Sequence, residues 1–161
     1  MKKTVLLICL LITSVVAHAQ FEKGKWIINP SLSGLDLSYS KETKTHFGLE
    51  FQTGAFLIDN LALMVNMGAD FSSDRDAYSV GVGGRYYFNS YGIYLGTGFK
   101  YKRIDWDNAG KRNDFVLASE AGYAFFLTRT VTLEPVIYYD LSFKDSDYSK
   151  LGFRLGLSFY F

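Results

Sequence analysis

The last 11 residues of the chain, LGFRLGLSFYF at positions 151–161, alternate strictly between two kinds of side chain. The odd positions are all Leu or Phe, whereas the even positions are Gly, Arg, Ser and Tyr. Because successive side chains of a β-strand point to opposite faces, this period of two predicts a strand with one wholly apolar face. A strand that covers a soluble core shows the same alternation, so this segment alone does not decide what the apolar face contacts.

The same alternation recurs along the chain and predicts eight strands in total. The other segments are 25–39, 47–57, 61–71, 78–88, 91–101, 115–127 and 131–141. Short turns are predicted near 58–60, 89–90 and 128–130, and longer polar loops at 40–45, 72–76, 103–114 and 142–149. Short turns at one rim and longer loops at the other are typical of even-stranded outer-membrane barrels. We expect Gly34 to form a bulge and Pro135, which cannot donate to a ladder, to distort its strand locally.

The composition supports an all-β protein with one domain. The chain has 161 residues, of which 48% are hydrophobic and 20% charged, with a formal net charge of +1. These values exclude a disordered chain and give no basic excess for binding nucleic acid. The 14 Phe, 12 Tyr and 15 Gly are far more typical of strands and turns than of a helical bundle.

Residues 1–19 have the pattern of a cleaved secretory signal peptide. Lys2 and Lys3 precede an apolar run, which ends in the small-residue site AHA at 17–19. The run is too short for a spanning helix. Residues 20–161 are then the mature domain, and the single cysteine, Cys9, is lost with the signal. A small exported domain without disulfides needs another source of stability, and closing a sheet into a barrel within a bilayer supplies one.

The face opposite the apolar one carries charges that we expect inside the barrel. The predicted lumen network is Glu50, Arg85, Lys100, Glu120, Glu134 and Arg154. The interior of an eight-stranded barrel is only wide enough for side chains, so opposite charges there must pair. We therefore predict a structural network and no open pore, with a narrow ion path as the alternative.

Several motifs resemble a known family. Residues 54–63 (GAFLIDNLAL), 85–88 (RYYF) and 133–135 (LEP), with a last strand closing on Phe161, resemble the small outer-membrane β-barrel domains common in Bacteroidetes-type bacteria. In size and strand count the chain is also similar to barrels of the OmpA/OmpX type. The resemblance implies an eight-stranded antiparallel transmembrane barrel in the Gram-negative outer membrane. It also implies that Phe161 belongs to the signal read by the barrel-assembly machinery. Because the predicted loops are short, we do not expect strands that protrude from the membrane.

The sequence predicts no catalytic residue, cofactor or metal. His46, with Ser40 and Glu42 nearby, leaves open a lipid A-modifying outer-membrane enzyme, because some small barrels of this kind use a His with a Ser and a carboxylate. With no cysteine and one histidine in the mature chain, a transition-metal site is not expected. A soluble lipocalin-like barrel, with its apolar face turned inward around a small ligand, is the second alternative.

The predicted role is membrane-structural or surface-interacting, carried by the longer loops. Trp106, in the loop 103–114, is the candidate contact for an unknown surface partner. The other expected partners are outer-membrane lipid and lipopolysaccharide, whose phosphates attract basic side chains, and we expect a monomer. The basic side chains assigned to lipopolysaccharide are Lys100, Lys102, Arg103, Lys111 and Arg112.

Overall fold

A computed structural model describes residues 21–33, 46–72, 75–88, 92–106, 110–144 and 149–161. The predicted signal peptide, the predicted bulge at Gly34 and the predicted loop 40–45 lie outside the described residues. The strands are β1 (Trp26–Ser33), β2 (His46–Ile58), β3 (Leu61–Ser72), β4 (Arg75–Phe88), β5 (Ile93–Trp106), β6 (Gly110–Tyr123), β7 (Phe125–Phe126), β8 (Val131–Ser142) and β9 (Lys150–Tyr160). Within the described part of the chain, no helix is long and apolar enough to cross a membrane.

The strands form one closed antiparallel barrel. Strands β1 to β6 each pair with the next strand in sequence, and β6 and β7 both pair with β8. β8 pairs with β9 and β9 pairs with β1, so the sheet has no free edge at the seam. The seam ends in a reciprocal pair: the N–H of Trp26 donates to the carbonyl of Phe161 at 3.1 Å, and the N–H of Phe161 donates back at 3.0 Å. Closure satisfies the backbone internally, which is what a sheet in a bilayer requires.

Although nine strands are numbered, the barrel has eight strands around its circumference. β6 and β7 are two parts of one strand, because both pair with β8. Gly122 pairs with Val136 and Phe125 pairs with Leu133, so the register is the same on both sides of the break. Only between these two pairs is the ladder with β8 interrupted. Ala124 lies in the interruption and donates its N–H to the carbonyl of Gly92 instead. The interruption faces Pro135, and β8 itself continues through the proline with a regular register to β9. The expected distortion is therefore confined to one ladder.

The two ends of the barrel differ, and we define them by their connections. The turn end holds the connections from β2 to β3, from β4 to β5 and from β7 to β8, together with residues 21–25 and Phe161. At the first of these turns Asn60 has a φ of 67°, which Asn tolerates better than most residues. The tip end is where β3 meets β4 and β5 meets β6.

The prediction of long polar loops at the tip end is wrong for 72–76 and 103–114. β3 reaches Ser72 and β4 begins at Arg75, while β5 and β6 stay paired out to Trp106 and Gly110. Trp106 therefore lies in a strand and not in a loop. The strands β4, β5 and β6 have 14 residues each. At about 3.3 Å per residue and a typical tilt near 45°, 14 residues rise about 33 Å, which exceeds an apolar belt of about 25 Å.

The expectation of strands that do not protrude is therefore also wrong. The reason is that a ladder needs only paired backbone groups, so exposed polar residues such as Arg103 and Asn113 do not end a strand. In the predicted loop 142–149, Ser142 ends β8 and Lys150 begins β9, and residues 145–148 lie outside the described part.

The apolar face of every long strand points outward. The side chains exposed there include Leu63, Val65 and Met67 on β3 and Val80 and Val82 on β4. Aromatic side chains lie at both ends of this face: Trp26, Tyr86, Phe88 and Phe161 at the turn end, and Phe71, Tyr78, Phe115 and Phe143 at the tip end. An apolar belt between aromatic girdles is the surface of a transmembrane barrel. It contradicts the lipocalin-like alternative, in which this face would line the interior.

Candidate functional site: the lumen

The lumen contains a chain of seven charges that alternate in sign. It climbs from the turn end to the tip end in the order Glu134, Arg85, Glu120, Arg154, Glu50, Lys100 and Asp140. Every neighbouring pair is in contact, from 2.5 Å for the two pairs that Arg154 makes to 3.7 Å between Lys100 and Asp140. Because each internal member lies between two opposite charges, the chain satisfies ions that would be very costly to bury alone.

The chain begins at Glu134, whose carboxylate accepts hydrogen bonds from five side chains. The donors to Oε2 are Asn29 (2.9 Å), Tyr94 (3.1 Å) and Arg85 (3.3 Å), and the donors to Oε1 are Tyr160 (2.7 Å) and Thr132 (2.9 Å). Glu134 and Arg85 are completely buried. A carboxylate with this many donors is held in one position at the turn end of the lumen.

Arg85 crosses the lumen and joins several strands. Its Nε and Nη2 both donate to Glu120 Oε1, at 2.9 and 2.6 Å, and it also donates to the hydroxyl of Tyr87 at 3.2 Å. Its guanidinium lies 4.2 Å from the ring centroid of Tyr94. Arg is suited to this position because its planar group can donate in several directions at once.

Glycines in the lumen make room for these side chains. A Cβ on Gly96 would lie 2.7 Å from Cγ of Glu120, its partner across the ladder. The rings of Tyr94 and Tyr138 lie in the same way over Gly122 and Gly152, their own cross-strand partners. The even-position glycines of the sequence therefore serve close approach of large side chains in a narrow barrel.

An aromatic cluster closes the turn end below Glu134. Phe21 is only 4% exposed, and its ring stacks on Tyr87 with centroids 4.2 Å apart. It also contacts the rings of Phe56, Phe126 and Tyr160. The carbonyl of Phe21 accepts a 2.7 Å hydrogen bond from Asn60, and the N–H of Gly24 donates to Phe56 at 2.9 Å. Residues 21–25 thus cover the lumen from below.

The tip half of the lumen is looser. Of two cavities of about 30 Å³ each, the first lies at mid-height beside Glu120 and the second lies in the tip half beside Lys102, and both are lined by Lys100, Tyr138 and Asp140. Each has room for a water or two, and Asn66 directs a buried Oδ1 without a hydrogen-bond partner toward the first. Above them, Lys102 and Asp70 form a separate ion pair at 3.6 Å, with side chains 23% and 31% exposed.

All six side chains predicted for the lumen lie in it and belong to the chain of charges. The sequence analysis missed its seventh member, Asp140, although this residue shares the even phase of Glu134 on β8, which is the signal that could have identified it. It also missed Asn29, which lies in β1 and donates to Glu134 across the seam. Periodicity identifies the inward face of a strand, but it cannot identify which inward side chains meet across the barrel.

The assignment of Lys100 and Lys102 to lipopolysaccharide is wrong, because both side chains point into the lumen and pair with carboxylates there. Arg103 is exposed on the outer surface. His46 is the first residue of β2 and pairs with Ser72, but its side chain, like that of Trp106, lies outside what the structure describes. Among the described residues, no group of three His, Cys, Asp or Glu could hold a metal ion.

Comparisons with known proteins identify the architecture. No family model matches the sequence, and no curated protein matches it. Among solved structures, the N-terminal barrel domain of Pseudomonas aeruginosa OprF is similar with a TM-score of 0.70 and 15% identity, over 86% of this chain and 98% of that one. Neisserial surface protein A is similar with a TM-score of 0.67 and 17% identity, over 86% and 98%.

The attachment invasion locus protein Ail of Yersinia pestis is similar with a TM-score of 0.55 and 16% identity, over 86% of this chain and 99% of that one. At such low identities the likeness establishes the fold alone. It agrees with the outward apolar belt and the polar lumen. The chain therefore has the fold of the small outer-membrane β-barrels: an all-β, eight-stranded, closed antiparallel barrel.

Proposed function

We propose that this protein is an integral outer-membrane barrel with a closed lumen and a membrane-structural or surface-interacting role, and that it is not an enzyme. The observation that carries the proposal is the distribution of side chains: a continuous apolar belt outside and a paired chain of charges inside. A protein built in this way needs lipid around it and carries its polar groups where lipid does not reach. The motifs at 54–63, 85–88 and 133–135 support the narrower assignment to the Bacteroidetes-type domains.

Fractionation of a Gram-negative host that expresses the chain tests the location. We expect the protein in the outer-membrane fraction, resistant to carbonate extraction and soluble only in detergent, with residues 1–19 removed in the mass of the mature chain. Recovery of a soluble periplasmic protein in the absence of detergent would contradict the proposal.

Two layers of side chains support a closed lumen. The aromatic cluster around Phe21 covers the turn end, and Arg85 with Glu134 fills the layer above it with no exposed surface. We expect purified barrel in planar bilayers to show no stable conductance of porin size. Steady conductance of that size would refute the closed lumen, although not the membrane location.

Phe161 is proposed to act in assembly through its side chain. That side chain is 61% exposed on the lipid face, whereas its backbone is engaged with Trp26 at the seam. Phe161→Lys keeps the backbone pair and replaces the apolar ring by a charged side chain, and Phe161→Leu, which removes the ring but stays apolar, is the matched control. We expect lower outer-membrane levels and more periplasmic degradation for the Lys variant alone. Equal insertion of both variants would remove the assignment.

A surface-interaction role, if present, belongs to the tip end. The strands β4 to β6 extend beyond the expected belt, and Asp76, Arg103 and Asn113 are exposed near their ends. One of the similar structures, Ail of Yersinia pestis, is described as an attachment invasion locus protein and was solved with the heparin analogue sucrose octasulfate. This supports testing the tip end for contacts with sulfated or phosphorylated glycans, with Arg103→Ala as the variant and Lys102→Ala, inside the lumen, as the control.

The proposal of no enzymatic activity is tested at His46. Mass spectrometry of lipid A from cells that express wild type or His46→Ala should give identical profiles. A modification of lipid A that depends on His46 would replace the proposal with the lipid A-modifying alternative.

A further inference from the structure

A large cavity of the described part of the molecule is a furrow on its outer surface. It has a volume of about 660 Å³, against about 30 Å³ for each cavity in the lumen. The furrow crosses the outward faces of β3, β2, β1, β9 and β8, and its walls are formed mainly by Leu32, Leu49, Phe51, Met67, Leu155 and Leu157. A volume in this range is typical of sites for small organic ligands.

The register of the strands explains the shape of the furrow. One row of outward side chains runs Met67, Phe51, Pro30, and the next row runs Ala69, Leu49, Leu32, each along cross-strand pairs. The furrow lies along these two rows, and the short side chains of Pro30 and Ala69 lower its floor. At a spacing of about 4.8 Å between strands, five strands give a length of about 19 Å.

The chemistry of the furrow excludes a polar ligand. The walls are apolar side chains that are 36% to 57% exposed. Glu50, although it contributes to the lining, directs its carboxylate into the lumen, where it pairs with Arg154 and Lys100. Ser31 also contributes to the lining, but it is buried and donates its hydroxyl to the carbonyl of Glu50 at 3.0 Å. An occupant would therefore meet no charged group and no free hydroxyl among these side chains, and an elongated apolar group matches the walls.

A second copy of the chain is a poor occupant of this surface. A symmetric dimer brings the same patch of both copies together. Two concave furrows facing each other would enclose a larger void than either has alone, and such a void forfeits dispersion contacts. Lipid chains, by contrast, already surround the belt in which the furrow lies.

We propose that the furrow is a binding site for one acyl chain of a membrane lipid, held more tightly than the chains around the rest of the belt. The chain lies across the strands, in contact with the leucines of both rows and with the floor at Pro30 and Ala69. This proposal rests on the proposed membrane location and adds a defined lipid site to it. The physical reason is contact area, because a chain in a furrow touches protein on three sides and a chain on a convex belt touches it on one.

Native mass spectrometry of the full barrel, released from detergent with added dipalmitoyl phosphatidylethanolamine, tests the site. Ala69→Phe fills the floor of the furrow. Ala121→Phe adds the same group on the exposed outer face of β6, where Ala121 pairs with Leu95 and Ile137 outside the furrow. We expect wild type and Ala121→Phe to retain one lipid under activation that strips the others, and Ala69→Phe to lose it.

Retention of the lipid by Ala69→Phe, or loss by all three proteins, would overturn the proposal. A dimer mass that disappears in Ala69→Phe would also overturn it and would assign the surface to a second copy. Heat-modifiable mobility in gels shows whether each variant folds. If Ala69→Phe does not fold, Pro30→Phe, which fills the furrow from β1, replaces it in the experiment. Fractionation of each variant shows whether it still reaches the outer membrane. Failure of the lipid site can therefore be distinguished from failure of the proposed membrane location.

Discussion

The turn half and the tip half of the lumen use the same kinds of residue in different ways. In the turn half, Arg85 and Glu134 are completely buried, and each is hydrogen-bonded to several side chains. In the tip half, Lys100 and Lys102 reach their carboxylates at 3.2 to 3.7 Å beside small cavities. The difference indicates that solvent access, and not the number of charges, decides how much each ion pair stabilises the barrel.

The largest effect expected from this comparison is that of Arg85→Ala. The substitution removes the contact that both Glu120 and Glu134 make with Arg85 and leaves Glu134 buried without a cation. Breaking a buried pair in this way costs about 3–5 kcal/mol. Urea unfolding of the barrel refolded in lipid vesicles, followed by intrinsic fluorescence, measures the change. A loss below about 1 kcal/mol, the value for exposed pairs, would show that the two halves do not differ.

Glu134→Gln tests the same layer with a smaller change. The amide keeps the shape of the carboxylate but replaces one acceptor oxygen by an NH₂ group. That group faces the donors of Tyr160 and Thr132 if it takes the place of Oε1, or those of Asn29 and Tyr94 if it takes the place of Oε2. Leaving buried donors unsatisfied costs about 1–3 kcal/mol, and Arg85 keeps its contact with Glu120, so the loss should be smaller than for Arg85→Ala. Asp140→Asn at the other end of the chain of charges is the matched control and should cost less in the same unfolding assay.

Two glycines that lie beneath tyrosine rings allow a direct comparison of the two halves, because one lies in each half. Gly122→Ala places a methyl group against the ring of Tyr94, which is fully buried and bonded to Glu134. Gly152→Ala does the same beneath Tyr138, which borders both small cavities and has space to move. Overpacking costs about 1–3 kcal/mol where nothing can yield. We expect Gly122→Ala to lower the urea midpoint clearly more than Gly152→Ala, and the reverse order would contradict a rigid turn half.

The sequence predicts the turn half of the molecule better than the tip half, for a physical reason. Where the barrel is enclosed by lipid outside and packed inside, each strand must alternate, so Arg85, Glu134 and Arg154 could be placed in the lumen from their phase alone. Where β5 and β6 rise above the belt, the outward face carries exposed polar residues such as Arg103 and Asn113, although Ile104 and Asp114 on the inward face are buried. The apolar–polar alternation weakens there, so residues 103–106 and 110–114 look like a loop although their backbones stay paired. The furrow at Pro30 and Ala69 could not be predicted, because it depends on which outward side chains become neighbours across five strands.

The smallest effect is expected for Lys102→Ala, at the tip end of the lumen. Lys102 and Asp70 are 3.6 Å apart and partly exposed, so water takes over the solvation of Asp70 once the lysine is gone. Exposed pairs of this kind contribute about 0–1 kcal/mol, and screening shortens their reach from about 10 Å at 0.1 M salt to about 3 Å at 1 M. The difference in unfolding free energy between wild type and Lys102→Ala should therefore be small at 0.1 M salt and vanish at 1 M. For Arg85→Ala the loss should persist at 1 M salt, because its carboxylates are shielded from solvent ions. A salt-insensitive loss for Lys102→Ala would mean that the tip half is as dry as the turn half.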